Sequence, residues 1–371
     1  MNRALAQLDS ALAAERDPVR LACLRAERAG LWARHGHLEQ ARAELADLHA
    51  RQQRHASPTL GAWLCLAEGL VDHFRDLDPK ARDRMMRAHA LSSAARVRPL
   101  IALSAAWLAH MDYVQHDLPA MGRHVAEALQ EAAPDHHSAR ARACIVVAQA
   151  YHYGGRLDLA QPWYQRTREH ATALGDQATL SALMHNRAWL SGNQARMASI
   201  FEPAASSADS EHVRHILLSA ESTGYFDARL GTASLGSLVP TLRAQLLVVQ
   251  GEHAKALALY EEHLSAAMQE GLVRMKPVIL ADVAWCKVRL GRSADALVDA
   301  RAALASVDRA CDIDDLAVAQ GRLAQVFEAL GDEARALELD AQARADLQAH
   351  REEQACIVAV LDAALAKVTG L

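Results

Sequence analysis

The chain has 371 residues, of which 51% are hydrophobic and 23% are charged, and its formal net charge is −5. Positive and negative residues are interspersed without the basic stripe that nucleic-acid binding requires, so we expect no direct binding of DNA or RNA. Alanine and leucine, the strongest helix formers, dominate the composition and favour an all-α fold.

Cysteines and apolar segments indicate the compartment. Six cysteines are scattered without a CxxC pair, which is typical of thiols that act as small apolar residues in a reducing environment. The charged amino-terminal segment lacks the pattern of a signal peptide. No apolar run reaches the roughly 20 residues that span a bilayer. We therefore expect a cytoplasmic protein without membrane contact.

The hydrophobic pattern predicts helices along the chain, with apolar residues at the three- and four-residue steps of packed helices. A leading helix is expected over 2–15. Helical hairpins are expected over 18–55, 58–94, 97–132, 135–174, 176–206, 236–270, 275–308 and 313–350. An additional helix is expected within an insertion at 207–231. A final amphipathic helix over 351–371 is expected to cap the stack or, alternatively, to form a dimer seam.

A turn signature supports this assignment, because a glycine is repeatedly followed five residues later by an alanine, with a methionine in its place in one copy. The copies are Gly36 with Ala41, Gly155 with Ala160, Gly192 with Met197, Gly251 with Ala256, Gly291 with Ala296, and Gly331 with Ala336. Weaker copies place Asp76 before Ala81 and His116 before Met121. Successive turns are 40, 40, 39, 37, 59, 40 and 40 residues apart, and the single long gap contains the insertion. The glycine ends one helix in a left-handed conformation, and the small residue lets the next helix pack closely.

With its small–aromatic pairs before the turns, such as Ala29 with Trp32 and Ala148 with Tyr151, the chain resembles the tetratricopeptide repeat (TPR) superfamily. The forty-residue period is similar to the long-helix type found in MalT-like activators and in sensory regions linked to cyclases. The resemblance covers about residues 18–350. It implies an all-α superhelix of about eight hairpins, forming a single solenoid over 1–371.

The resemblance also implies a binding groove, because a solenoid leaves the inner face of its first helices free. In that register Asn186 would hold a peptide backbone, Trp189 would provide an apolar anchor and Arg142 would meet a carboxylate. The full set of groove candidates is Trp63, His73, His110, Tyr113, Arg142, Gln149, His152, Tyr153, Asn186, Trp189, Gln245, Trp285, Arg289 and Gln325.

Catalytic and cofactor motifs are absent from the sequence, which contains no phosphate-binding loop, no dinucleotide fingerprint and no zinc-protease motif. His212 and His215 could share one helix face, but surface histidines explain this spacing more simply than a metal does. We expect no catalysis, metal or cofactor. The sequence predicts a scaffold that binds a protein or peptide. The alternative is a sensory or regulatory module that takes a small ligand or peptide and acts on a signalling or transcriptional partner in trans. A homodimer through the terminal helices is a further expectation.

Overall fold

The computed structural model describes residues 3–76, 80–202, 210–230, 236–270, 272–307 and 311–369. These residues form seventeen α-helices, a 3-10 helix at Leu272–Met275 and no β-strand. The α-helices are α1 Arg3–Ala14, α2 Pro18–Arg34, α3 Leu38–Arg54, α4 Pro58–Asp76, α5 Lys80–Ala94, α6 Arg98–Val114, α7 Leu118–Glu131, α8 His137–Tyr153, α9 Leu157–Leu174, α10 Gln177–Phe201, α11 Ser210–Leu230, α12 Leu238–Val249, α13 His253–Gln269, α14 Lys276–Arg289, α15 Ser293–Ser306, α16 Ile313–Ala329 and α17 Glu333–Leu365. The all-α fold of helical hairpins is thereby confirmed.

The hairpin turns end their first helices in a left-handed conformation. The residues concerned are Gly36, His116, Gly155, Gly251, Gly291 and Gly331, with φ between 57° and 84°. After Gly36, the amide of His37 donates to the carbonyl of Trp32 at 2.9 Å, which is the closing bond of a Schellman motif. His116 occupies the place that the weaker repeat copy assigns to it. The weakest copy begins at Asp76, the last residue of α4, and the residues after it, 77–79, lie outside the described part of the chain.

The residue five positions after each hairpin turn is buried, as the signature predicts. The set comprises Ala41, Ala81, Met121, Ala160, Ala256, Ala296 and Ala336, none of which is more than 8% exposed. Each lies near the start of the second helix of its hairpin, where a small or flexible side chain lets the two helices approach closely.

The hairpin expected over 176–206 is wrong, because α10 continues without a break through Gly192. A Cβ at Gly192 would lie only 2.6 Å from Cδ1 of Leu242, so this glycine serves a close helix contact rather than a turn. Seven hairpins therefore stand within the described residues, where about eight were expected. Of the insertion at 207–231, residues 210–230 form α11, and the remaining residues lie outside the described part.

The carboxy-terminal segment is not a separate helix beginning at 351, because α17 is continuous from Glu333 to Leu365. Its last part packs on α7 and α8: a Cβ at Gly122 would lie 2.7 Å from Val360, and the hydroxyl of Tyr151 donates to Asp362 at 2.7 Å. Leu361 is fully buried. Over this segment, the apolar face that was considered for a dimer seam therefore packs against α7 and α8 of the same chain.

The chain divides into two compact units, which are described separately. Unit 1 comprises residues 1–183 with 356–371, and unit 2 comprises residues 184–355. In each unit, the inner face is the face formed by the first helices of the hairpins: α2, α4, α6 and α8 in unit 1, and α12, α14 and α16 in unit 2. A single solenoid over 1–371 stays a prediction. None of the described helices combines the length and apolarity needed to cross a membrane.

Candidate functional site

The inner face of unit 1 contains an open cavity of about 240 Å³. Helices α2, α4 and α6 form its walls, Ser138 of α8 lies at its edge, and α1 covers part of it. The apolar lining includes Leu70 and Trp63 of α4 and Trp107 of α6. Its lining, mostly apolar with a few polar groups, is of the kind found in ligand-binding sites, and its volume lies somewhat below their usual range of roughly 300–1,000 Å³.

Gly30 of α2 lets the walls of this cavity meet. A Cβ at Gly30 would lie 2.9 Å from Cδ1 of Leu70, so α2 can approach α4 closely only with a glycine here. Gly30 also lines the cavity. Gly30 thus sets how closely two walls of the cavity, α2 and α4, approach each other.

Two charged residues of α2, Glu27 and Arg34, line the cavity. They are seven residues apart, which is two helical turns, so they lie on one face about 10 Å apart along the axis. Among the described residues, no cation pairs with the carboxylate of Glu27, and burial raises its pKa to about 7. Arg34 donates through Nη2 to Asp176 at 2.6 Å and to Thr179 at 2.8 Å. The cavity therefore has an acidic and a basic end.

Arg142 places a second cation next to the basic end, stacked on Trp107, and is not itself among the residues that line the cavity. It is only 8% exposed, its Cζ lies 3.9 Å from the ring centroid of Trp107, and its Nε has no partner among the described residues. The Cζ of Arg34 lies 5.7 Å from the same ring. Burial, followed by the charge of Arg34, lowers the pKa of Arg142 to about 9, so the guanidinium remains charged at neutral pH. Asp176 is already held by Arg34, which leaves one buried positive charge in excess.

Aromatic and imidazole rings surround this cation. The ring centroids of His73 and His110 lie 5.4 Å apart and within 6.0 Å of Trp107. Burial, with the charge of Arg142, lowers the pKa of His73 to about 4 and that of His110 well below its ordinary value. Both imidazoles are therefore neutral at pH 7 and do not add to the charge of Arg142.

The inner face of unit 2 is occupied by the chain itself. The second half of α10, residues 192–201, packs on all three first helices. Gly192 meets Leu242 of α12, Met197 and Ile200 pack against Val278 of α14 and Val318 of α16, and a Cβ at Gly321 would lie 2.7 Å from Ile200. Within the described residues, this part of α10 therefore covers the inner face of unit 2.

Buried polar groups fix this part of α10. Arg196, only 1% exposed, lies 3.3 Å from Asp282, which also accepts from Arg322 at 3.2 Å and from the hydroxyl of Tyr260 at 3.0 Å. Asn193 donates to Asp314. Unlike Arg142, both Arg196 and Arg322 have a carboxylate partner, so their charges are neutralised within the chain. Among the described residues, the buried Nε of Arg196 has no hydrogen-bond partner.

The remaining unit 1 candidates face different neighbours. Trp63, His73, His110 and Arg142 gather at or beside the cavity. Tyr113 is half-buried in α6, and Gln149 is buried in α8. His152 is fully buried, its Nδ1 lying 2.9 Å from the hydroxyl of Tyr164 in the second helix of the same hairpin. Tyr153 lies against the ring of His116, at a hairpin turn. The structure does not bring these four to the cavity.

In unit 2, the candidates lie in or beside the core. Trp189 is half-buried and packs with residues of α12 and α14, and Asn186 is half-buried one turn before it. Gln245 is 1% exposed. Trp285 packs between hairpins, with the guanidinium of the exposed Arg289 at 5.4 Å from its ring. Gln325 accepts from Arg322 at 2.7 Å. These residues do not form one open site.

Sequence reasoning missed three residues of the cavity: Glu27, Arg34 and Trp107. The groove register yielded no candidate on α2. A usable signal was present, because Glu27 and Arg34 are separated by two helical turns and Trp107 lies one turn before His110. The partner of Arg34, Asp176, is 142 residues away in sequence and follows only from the tertiary structure.

Comparison with known proteins identifies the fold and no more. No family model matches the chain, and no curated protein matches it in sequence. Among solved structures, the chain is similar to a Rap protein complexed with competence and sporulation factor. The two are 12% identical, the match covers 94% of this chain and 99% of the other, and the TM-score is 0.58. The fold is thus that of a TPR-like helical repeat protein.

Proposed function

We propose that the protein is a non-enzymatic scaffold that binds a peptide, or a peptide segment of a protein, on the inner face of unit 1. The observation that carries this proposal is the buried, charged Arg142 beside an open apolar cavity, with no carboxylate of its own. A buried cation without a partner is costly, and an incoming carboxylate or carbonyl would offset that cost.

Two further features support this function. The cavity offers Trp63 and Trp107 as flat apolar contacts, which are the side chains that most often dominate peptide and protein interfaces. The similar Rap protein was solved with competence and sporulation factor bound, so this kind of fold accommodates such a ligand in at least that case. Around the cavity the two imidazoles are neutral at pH 7 and the arginines are paired or stacked, an arrangement that suits recognition of a ligand.

The test uses a randomised pool of hexapeptides, separated from the protein by size exclusion and identified by mass spectrometry. The wild-type chain is expected to retain a defined subset of the pool. Ala11 of α1 lines the cavity and is exposed, so Ala11→Trp should fill the space without disturbing the core and abolish retention. Ala14→Trp, at an exposed alanine of the same helix outside the cavity, is the matched control. Equal retention by both variants would contradict the proposal.

A sensory module of the long-period, MalT-like type is the alternative, in which ligand binding changes how the protein acts on a regulatory partner in trans. The cover formed by α1 favours it, because Ala4 and Leu8 of this short helix line the cavity that a ligand would enter. In that case ligand would slow hydrogen exchange in α1 as well as in α2 and α4. Protection confined to α2 and α4 would favour a simple scaffold.

A further inference from the structure

The charges of the unit 1 cavity indicate which kind of peptide would fit it. Its acidic end is Glu27, and its basic end is the pair Arg34 and Arg142. Asp176 neutralises one of the two guanidinium groups, so the basic end carries a net positive charge. The wall between the ends is apolar, formed by residues such as Leu31, Ala67 and Leu103 of three helices.

The spacing of the two ends sets a length. Glu27 and Arg34 are about 10 Å apart along α2, at 1.5 Å per residue. An extended peptide advances by about 3.3 Å per residue, so roughly three residues span this distance. A peptide of that length has its ammonium and its carboxylate about as far apart as the acidic and basic ends of the cavity.

We propose that the cavity binds a free-ended, apolar peptide of about three residues, with its amino terminus at Glu27 and its carboxy terminus at Arg34 and Arg142. This inference rests on the proposed function and adds the ligand's length, polarity and direction. The carboxylate would supply the anion that Arg142 lacks, and the ammonium would supply the cation that Glu27 lacks. The reverse direction would place the ligand's ammonium beside Arg34 and Arg142, which is unfavourable in a partly buried site.

The ring of Trp107 couples the apolar wall to the basic end. Trp107 is 2% exposed and lines the cavity, and the Cζ of Arg142 lies 3.9 Å from the centroid of its ring. This stacking holds the guanidinium in place without consuming its hydrogen-bond donors, because a cation–π contact uses the ring face rather than an acceptor atom. The donors of Arg142 thus remain available for a carboxylate.

The test is calorimetric titration with trileucine in four forms: free-ended, amino-acetylated, carboxy-amidated and doubly capped. For the wild-type chain we expect each single cap to weaken binding by about tenfold, equivalent to about 1.4 kcal/mol, because each removes one charge-assisted contact. In Glu27→Gln, acetylation should have little further effect while amidation still weakens binding. In Arg142→Gln, the pattern should be reversed. Arg42→Gln, which affects only an exposed pair with Glu39, is the control and should behave as wild type.

Each outcome separates this inference from the function on which it rests. Tight binding of trileucine that is indifferent to both caps would overturn end recognition and leave the scaffold function standing. The same conclusion follows if no trileucine form binds while hexapeptides are still retained and lost in Ala11→Trp. Failure of both the tripeptides and the hexapeptide pool would overturn both proposals.

Discussion

The inner faces of the two units are built from the same helical repeat but differ in whether another part of the chain covers them. In unit 1 the face holds an open cavity, and the buried Arg142 beside it has no carboxylate partner. In unit 2 residues 192–201 of α10 cover the face, and Arg196 is paired with Asp282. Among the described residues, buried arginines therefore occur in two settings in this chain, without a carboxylate partner in unit 1 and with one in unit 2. The presence of an acidic partner distinguishes the two cases.

The largest expected effect is the loss of stability on breaking the ion pair between Arg196 and Asp282 in unit 2. Arg196→Met would leave Asp282 short of one partner and Asn193 without its neighbour. Breaking a buried ion pair by removing one side typically costs about 3–5 kcal/mol, so we expect a loss of that order in the free energy of unfolding. Hydrogen exchange in α14 and α16 measures it. Arg335→Met, in an exposed pair with Glu338, should change the free energy of unfolding by less than about 1 kcal/mol. Equal losses in the two variants would contradict a stabilising role for the pair of Arg196 and Asp282.

A second expectation concerns the pH dependence of unit 2. Burial, together with the neighbouring carboxylate of Asp314, raises the pKa of Asp315 from its ordinary value of 3.8 to about 8. Between these values the folded chain binds more protons than the unfolded chain, so Asp315 lowers stability progressively as pH rises.

The variant Asp315→Asn removes this titration. Its gain in free energy of unfolding over wild type should therefore increase from pH 5 to pH 7.5, by on the order of 2 kcal/mol. Denaturant melts at both pH values give the measurement. The nearby Arg196 favours the charged form of Asp315, and Asp312 opposes it. Asp340→Asn, in a largely exposed pair with Arg344, should show no such trend. If the stability gain of Asp315→Asn over wild type decreased with rising pH, the pKa of Asp315 would not be raised in the folded chain.

A third expectation tests the close contact between α10 and α16. In Gly321→Ala, the new Cβ would lie 2.7 Å from Ile200 and 3.2 Å from Phe201, so these side chains must move. Overpacking of this kind costs about 1–3 kcal/mol. Thermal unfolding of unit 2 should shift downward. In Gly224→Ala, the nearest atom would be 3.5 Å away, and the better helix former should be neutral or stabilising by up to about 1 kcal/mol. Identical shifts in both variants would argue against tight packing at Gly321.

The smallest effect on stability is expected at Arg142. Arg142→Met removes an unpaired buried charge but also the contact with Trp107, which methionine partly replaces. We expect the free energy of unfolding of unit 1 to change by no more than about 1 kcal/mol. Peptide retention should nevertheless be lost. Hydrogen exchange in α6 and α8 gives the stability. A loss as large as that expected for Arg196→Met would mean that Arg142 is structural, and the contrast between the units would disappear.

The sequence by itself determined the helices and most of the turns. These features are local: a helix-forming composition, apolar periodicity and a glycine that ends the first helix. The left-handed conformation of residues such as Gly36 and Gly331 can therefore be predicted from the sequence around them. The same local logic failed at Gly192, because glycine also permits close helix contact, and only the position of Leu242 decides between these two uses.

Only the tertiary structure decided which inner face is open. The groove register put Trp63, His73, His110 and Arg142 into one candidate set. The structure places Trp63 in the cavity lining and the other three around the ring of Trp107, and their role in binding stays a prediction. The register could not show that α10 covers the corresponding face of unit 2, nor that Asp176 binds Arg34 rather than Arg142. Whether a buried arginine has a partner depends on residues far away in sequence: Arg34 and Asp176 are 142 positions apart, and Arg196 and Asp282 are 86 apart. No local pattern encodes such contacts.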